Sequence, residues 1–111
     1  MTRNWILRVA FGMGTVALAS MLCIPARPDE KSAGTFKQKC ASCHGTDGKA
    51  ESPAGKALKV PSFASAETKG KSDKELGDVI ANGKGKMPKY GASMSADEIK
   101  AMVAYVRELG K

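Results

Sequence analysis

Two cysteines and the only histidine of the chain stand close together, at Cys40, Cys43 and His44. On a helical turn, positions i, i+3 and i+4 share one face. Both thiols can therefore reach the two vinyl groups on one edge of a porphyrin while the imidazole reaches the iron. The spacing C-x-x-C-H is the pattern of c-type haem attachment. We expect thioether bonds at Cys40 and Cys43 and an axial iron ligand at His44.

Two other kinds of site use cysteines at this spacing. A thiol–disulfide redox pair is typical of a C-x-x-C beside a βαβ unit, and no such pattern occurs in this sequence. A structural zinc site takes four ligands, of which His44 and the two thiols would supply three. A haem-free thiol–disulfide protein is the weaker alternative for Cys40 and Cys43.

Methionine is a common second axial ligand in haem electron carriers, and the chain has six methionines. Met94 precedes the predicted N-cap Ser95 and lies five residues before Ile99, which is the geometry of a hydrophobic staple. Met102 falls on the apolar stripe of the last predicted helix. Met87 lies in a Gly-, Lys- and Pro-rich stretch without amphipathic pattern. We therefore predict Met87 as the second ligand.

Three helical segments would position these residues, and no strand-like alternation of useful length appears. The first runs from about Ser32 to Cys43, and residues 45–62 after it are predicted to form a loop. The second and third begin at capping boxes, at Ser72 and Ser95, and the third carries an apolar stripe as far as Leu109. The predicted fold class is all-α.

The first 28 residues have the pattern of a secretory signal peptide. Arg3 and Arg8 precede an apolar run, Val9–Pro25, after which the sequence turns charged. Residues 1–28 are therefore assigned to the signal and residues 29–111 to the domain. Export would place that domain in the periplasm.

A membrane anchor is the alternative use of this N-terminal segment. The apolar run is short for a membrane span, which needs about 20 residues, so a retained helix is less favoured than cleavage. Cys23 could carry a lipid, but Leu22 stands where a lipoprotein cysteine has a small residue. Membrane association is thus expected only if the segment is retained.

The domain left after cleavage is small and basic. Cleavage after Ala26 would remove Arg3 and Arg8 and lower the formal net charge from +7 to +5, which favours acidic protein partners over nucleic acid in an exported chain. A domain of about 85 residues has a small core and usually needs disulfides, a metal or a cofactor to stabilise it. Because only Cys40 and Cys43 remain, a disulfide framework is excluded, and a haem would supply apolar volume to the core.

With these motifs in place, the sequence resembles a class I c-type cytochrome, a small monohaem electron carrier, over about residues 32–109. The resemblance implies three main helices and long loops wrapped around one covalently attached haem c. The matching residues are Phe36, the Cys40–Gly45 motif, the Gly83–Pro88 loop and Tyr105.

The resemblance also implies contacts within the fold. The first and last helices should cross with Phe36 packed against Tyr105, and Ser32 stands where the family usually has glycine, so the crossing would be wider or shifted. A proline carbonyl in the loop after the haem motif should accept a hydrogen bond from the ligating histidine. Pro53 is the candidate for this acceptor, with Pro61 in reserve.

The function implied is that of a monomeric periplasmic one-electron carrier in a respiratory or photosynthetic chain, not an enzyme. Lys84, Lys86 and Lys89 flank Met87 and would dock acidic redox partners such as an oxidase, a reductase or a dehydrogenase. Solvated lysines without a docking role are the alternative. A gas-binding or sensing haem protein, with Met87 absent from the iron or easily displaced, is the other function left open.

Overall fold

The computed structural model describes residues 30–111, so the predicted signal segment and Cys23 lie outside the described residues. Within this range the chain forms no β-strand, only an isolated bridge between Lys84 and Met87. The prediction of an all-α fold is confirmed. The helices are α1 (Glu30–Lys39), α2 (Ala41–His44), α3 (Pro53–Ala57), α4 (Ala66–Lys69), α5 (Asp73–Asn82) and α6 (Ala96–Leu109).

None of the helices in the described part of the chain combines the length and apolar character that a membrane crossing requires.

The first predicted helix is divided in two at Cys40. Its φ of −116° and ψ of −35° depart from helical values and separate α1 from α2. Hydrogen bonding nevertheless continues across the junction, because the Cys40 amide donates to the Phe36 carbonyl at 2.9 Å and the His44 amide donates to the Cys40 carbonyl at 3.0 Å. The division therefore turns the haem motif relative to α1 without detaching it.

Two short helices, α3 and α4, lie where the sequence showed no periodic pattern, and α3 corrects the predicted loop of residues 45–62. Each begins at a serine N-cap. The hydroxyl of Ser52 accepts from the Gly55 amide at 3.0 Å, and that of Ser65 accepts from the Thr68 amide at 3.3 Å. A helix of four or five residues is too short to show an amphipathic period, and so sequence pattern alone does not reveal it.

Both predicted capping boxes are formed. Ser72 caps α5 with Glu75, and Ser95 caps α6 with Glu98, each pair making both reciprocal hydrogen bonds. An N-cap contributes about 1 kcal/mol to stability. The predicted starting points of α5 and α6 therefore rest on these local interactions.

The core lies between α1, α5 and α6. The rings of Phe36 and Tyr105 pack with centroids 5.2 Å apart, as expected for the crossing of the first and last helices. Met94 is buried in the same core, and Ile99 is partly buried and packs against that core. At the crossing, Ser32 is buried.

Arg107 of α6 fastens the chain between α4 and α5. Its guanidinium donates to the Asp73 carboxylate at 2.9 Å and 3.0 Å, and to the backbone carbonyls of Thr68 at 3.4 Å and Lys71 at 2.5 Å. The Thr68 carbonyl lies at the end of α4, and the Lys71 carbonyl lies in the turn after it. Arg107 thus holds this segment against α6.

Candidate functional site

A cavity of about 530 Å³ opens beside the core, a volume within the range of about 300–1,000 Å³ typical of small-molecule and cofactor sites. Cys40, Cys43 and His44 line it, and so does Met87 from the loop after α5. The structure thus brings the predicted thioether cysteines and both predicted axial ligands to one cavity.

The wall of this cavity is largely apolar. The side chains that form it come from three helices of the core and exclude water from the space beside the ligands. They are Phe36 of α1, Leu76, Val79 and Ile80 of α5, and Met102 and Val106 of α6.

The haem motif is fixed by α2 and by the turn that follows it. Gly45 has a φ of 76°, which favours glycine, and reverses the chain directly after His44. The Ala50 amide then donates to the His44 carbonyl at 2.8 Å. The Cys40 and Cys43 thiols are not joined in a disulfide, and both stay available for thioether bonds.

The end of α2 is held in place by α3. The Ser52 hydroxyl lies 2.8 Å from the Ser42 carbonyl and 3.2 Å from the Cys43 carbonyl, two groups that lack helical partners. Gly55 packs so closely on this end that an added Cβ would overlap the Cys43 carbonyl and lie 2.5 Å from that of Ala50. Helix α3, which the sequence did not predict, therefore supports the haem motif.

The environment of His44 suits a neutral metal ligand. Burial lowers the pKa of His44, which keeps the imidazole uncharged at neutral pH, the form that binds iron. The ring stacks on Phe63, with centroids 4.8 Å apart and an interplanar angle of 27°. The buried Nδ1 of His44 has no hydrogen-bond partner in residues 30–111.

The hydrogen bond expected between His44 and the Pro53 carbonyl is therefore not formed. Pro53 is the first residue of α3, where its carbonyl points along that helix, away from the role of an acceptor for the imidazole. Pro61, the reserve candidate, lines the cavity but likewise receives no bond from Nδ1. The stack with Phe63 orients the ring instead.

Phe63 is a residue of the site that sequence reasoning missed. It lies in a stretch without periodicity, 19 residues after the histidine that it contacts. Its amide donates to the Gly48 carbonyl at 2.9 Å, and its ring occupies the space that a Gly48 side chain would need. A lone aromatic residue directly after the predicted loop of residues 45–62 is the one sequence signal that could have indicated it.

The segment of residues 83–91 that carries Met87 is anchored to α5 at both ends. The last carbonyls of this helix, which lack helical partners, accept hydrogen bonds at 2.8 to 3.0 Å from backbone amides of the segment. The donors are Gly83, Tyr90 and Gly91, and the acceptors are Val79, Ile80 and Ala81 in that order.

Between these anchors the chain makes a tight turn. The Met87 amide donates to the Lys84 carbonyl at 2.9 Å, with Gly85 at a φ of 58°. Met87 is half-buried and packs against the core. By contrast, Met94 does not line the cavity, and Met102, which does, is 2% exposed within α6. Of the two methionines that line the cavity, Met87 is thus the one that lies in a loop.

Lysines lie at the cavity mouth, and all of them are exposed except Lys71, which is half-buried. Of the three predicted docking residues, Lys84 and Lys86 line the cavity, whereas Lys89 is exposed but is not part of the lining. Glu67 is the acidic residue among the lining side chains. Three further lysines of the lining, distant in sequence, were not predicted: Lys39, Lys59 and Lys71.

Cys40 lacks the lowered pKa of a catalytic redox thiol. Burial raises the pKa of the Cys40 thiol, with Lys39 acting in the opposite direction, whereas catalytic C-x-x-C thiols have lowered pKa values. Among residues 30–111, no group of three or more His, Cys, Asp or Glu side chains is placed to hold a metal ion.

Comparison with known proteins finds a family and a solved structure that resemble this chain. The family described as cytochrome c oxidase, cbb3-type, subunit III matches residues 28–106. Among solved structures, the c-type cytochrome KustC0563 is similar with a TM-score of 0.65 and 30% sequence identity, over 72% of this chain and 98% of that one. No curated protein gives a significant match.

Proposed function

Because the chain belongs to the c-type cytochrome family of cbb3-type oxidase subunit III, we propose that it is a periplasmic one-electron carrier whose haem iron is ligated by His44 and Met87. Proteins of this family carry covalent haem c and generally transfer electrons rather than catalyse reactions. The observation that carries the proposal is the convergence of Cys40, Cys43, His44 and Met87 on one cavity.

The residues present fit a haem. Two thiols three residues apart match covalent attachment, and a neutral imidazole with a thioether matches the axial pair of electron-carrying cytochromes. The cavity has the volume and the apolar wall of a cofactor site. When bound, haem supplies a one-electron couple between Fe(II) and Fe(III).

The protein side chains set the conditions for that couple. Cys40 and Cys43 fix the position of the group, and the apolar wall keeps water from the ligands. Met87 as the sixth ligand would raise the reduction potential. The anchored loop holds Met87 and the stack on Phe63 holds His44, so both side chains would need little rearrangement if a bound haem changed its oxidation state.

The ligand assignment is tested by conservative replacement of each methionine near the core. Met87→Leu, Met94→Leu and Met102→Leu keep the side-chain volume, so all three variants should fold. We expect only Met87→Leu to lose the ferric methionine–iron charge-transfer band and to bind carbon monoxide readily in the ferrous state. Retention of the band in that variant, or its loss in either of the others, would overturn the assignment.

We further propose that the lysines at the cavity mouth dock acidic redox partners, such as the oxidase that the family description names. Lys84 and Lys86 lie beside Met87 and are exposed, which places positive charge where electrons would leave the cavity. Such charges accelerate association by electrostatic steering.

Ionic strength tests this docking surface. The bimolecular rate of electron transfer to an acidic partner should fall with salt, and Lys86→Glu should lower it further. Lys100→Glu makes the same charge change on the exposed face of α6, away from the cavity lining, and should have a smaller effect. A rate independent of salt, or equal losses in both variants, contradicts the proposal.

The periplasmic location rests on residues 1–28. Domains of this family are typically exported, and the basic and apolar pattern of this segment is that of a signal. The intact mass of the protein purified from an exporting host should show loss of the segment and gain of one haem. A mass that retains the segment would favour an anchor instead.

A further inference from the structure

The hydroxyl of Tyr90 joins two parts of the site that are far apart in sequence. It donates to the backbone carbonyl of Lys39 at 3.0 Å, across 51 residues of chain. Lys39 is the last residue of α1 and directly precedes Cys40. Its carbonyl lies in the last turn of the helix, where helical partners run out, so the tyrosine supplies a hydrogen bond that this end of α1 needs.

The backbone of Tyr90 is hydrogen-bonded to the end of α5. Its amide donates to the Ile80 carbonyl at 3.0 Å, and it follows Met87 by three residues with Pro88 between them. Proline restricts its own φ, so movement at one end of this short stretch is passed to the other. A displacement of the Tyr90 ring would therefore be felt at Met87.

The face of the Tyr90 ring also contacts a positive charge. The Lys39 ammonium lies 5.9 Å from the ring centroid, within the range of a cation–π contact. Tyr90 lines the cavity together with Met87 and packs against the core. Removing the hydroxyl alone would leave the ring, its packing and this contact in place.

We propose that Tyr90 is a positioning residue for Met87. Its hydroxyl ties the loop that bears the sixth ligand to the α1–α2 junction that bears the first thioether cysteine. The tether would thereby link the two chain segments that would hold a haem, and it would set how readily an external ligand replaces Met87. The proposal rests on ligation by Met87, as proposed above.

The test is displacement of Met87 by imidazole in the ferric holoprotein, followed by loss of the charge-transfer band. Tyr90→Phe removes the hydrogen bond and should lower the imidazole Kd about fivefold, the factor that one net hydrogen bond provides. Tyr105→Phe is the matched control, since Tyr105 packs on Phe36 outside the cavity lining. Its imidazole Kd should equal that of the wild type.

The outcomes separate the tether from the ligand assignment. If the wild type has the band and Met87→Leu removes it, the ligand is established. An unchanged imidazole Kd in Tyr90→Phe, or the same change in Tyr105→Phe, then overturns the tether alone. Equal loss of thermal stability in the two variants, with no difference in imidazole Kd, would show a purely structural role. A wild type without the band overturns both proposals.

Discussion

Replacing Gly83 with alanine should displace the backbone of Met87. Gly83 has a φ of 72° and a ψ of 171°, a region that is essentially restricted to glycine and costs other residues about 1–3 kcal/mol. An added Cβ would also lie 2.5 Å from the Met87 carbonyl oxygen and 3.2 Å from the backbone of Pro88. Neither contact is with a flexible side chain, so the loop itself must move.

Gly85 provides the matched control within the same loop. Its φ is 58°, but an added Cβ would meet no atom within 4 Å. Gly85→Ala should therefore lower the free energy of unfolding by only the cost of left-handed backbone, about 1 kcal/mol. Gly83→Ala adds an overpacking cost of about 1–3 kcal/mol and should lower it by about 3 kcal/mol in total.

Two measurements on the ferric holoprotein check this difference. Urea unfolding gives the free energies, and the methionine–iron band reports whether Met87 stays on the iron. We expect Gly83→Ala to weaken the band and Gly85→Ala to preserve it. Losses of stability that agree within about 0.5 kcal/mol, or a band equally intact in both variants, would refute the idea that close packing at Gly83 sets the position of Met87.

Two further variants test the buttress of the haem motif and the cap of α5. Gly55→Ala should destabilise the protein by about 2 kcal/mol or more, because its Cβ would meet two backbone carbonyls, whereas Gly34→Ala, in open space within α1, should stabilise it by about 0.5–1 kcal/mol. The Ser72 amide donates to the Glu75 carboxylate at 2.6 Å and lowers the pKa of Glu75. The carboxylate therefore stabilises the fold above the ordinary glutamate pKa, and this contribution is lost as the pH falls through the lowered folded pKa.

Both comparisons are read from denaturant unfolding. Gly55→Ala would contradict the proposed buttress if it were as stable as Gly34→Ala. Glu75→Gln should be less stable than the wild type near neutral pH, and the difference should narrow as the pH falls below the ordinary glutamate pKa. A difference for Glu75→Gln that is constant with pH would argue against the role assigned to its charge.

The parts of the fold that follow from local interactions could be predicted from the sequence. The capping boxes at Ser72 and Ser95 fix where α5 and α6 begin, because all their partners lie within three residues. Met87 could be singled out because it had no place in any amphipathic pattern. The structure places it in the cavity together with the C-x-x-C-H motif.

The parts that depend on distant contacts could not be predicted in this way. Phe63 acquires its role only when folding brings it onto His44. The sequence does not show that Pro53, the predicted hydrogen-bond acceptor for His44, is the first residue of a helix. The bond from Tyr90 to Lys39 has no local signature, since neither residue type nor spacing indicates a contact across 51 residues.

The double anchoring of residues 83–91 has a consequence for how this loop can vary. Surface loops usually tolerate insertions and deletions, but here both ends are bonded to consecutive carbonyls of the same helical turn. A residue added between Gly83 and Tyr90 would have to bulge at the turn, because neither end can slide along α5 without breaking a backbone bond. The length of this segment is therefore constrained by the fold, whereas the fold can accept substitutions at its exposed lysines.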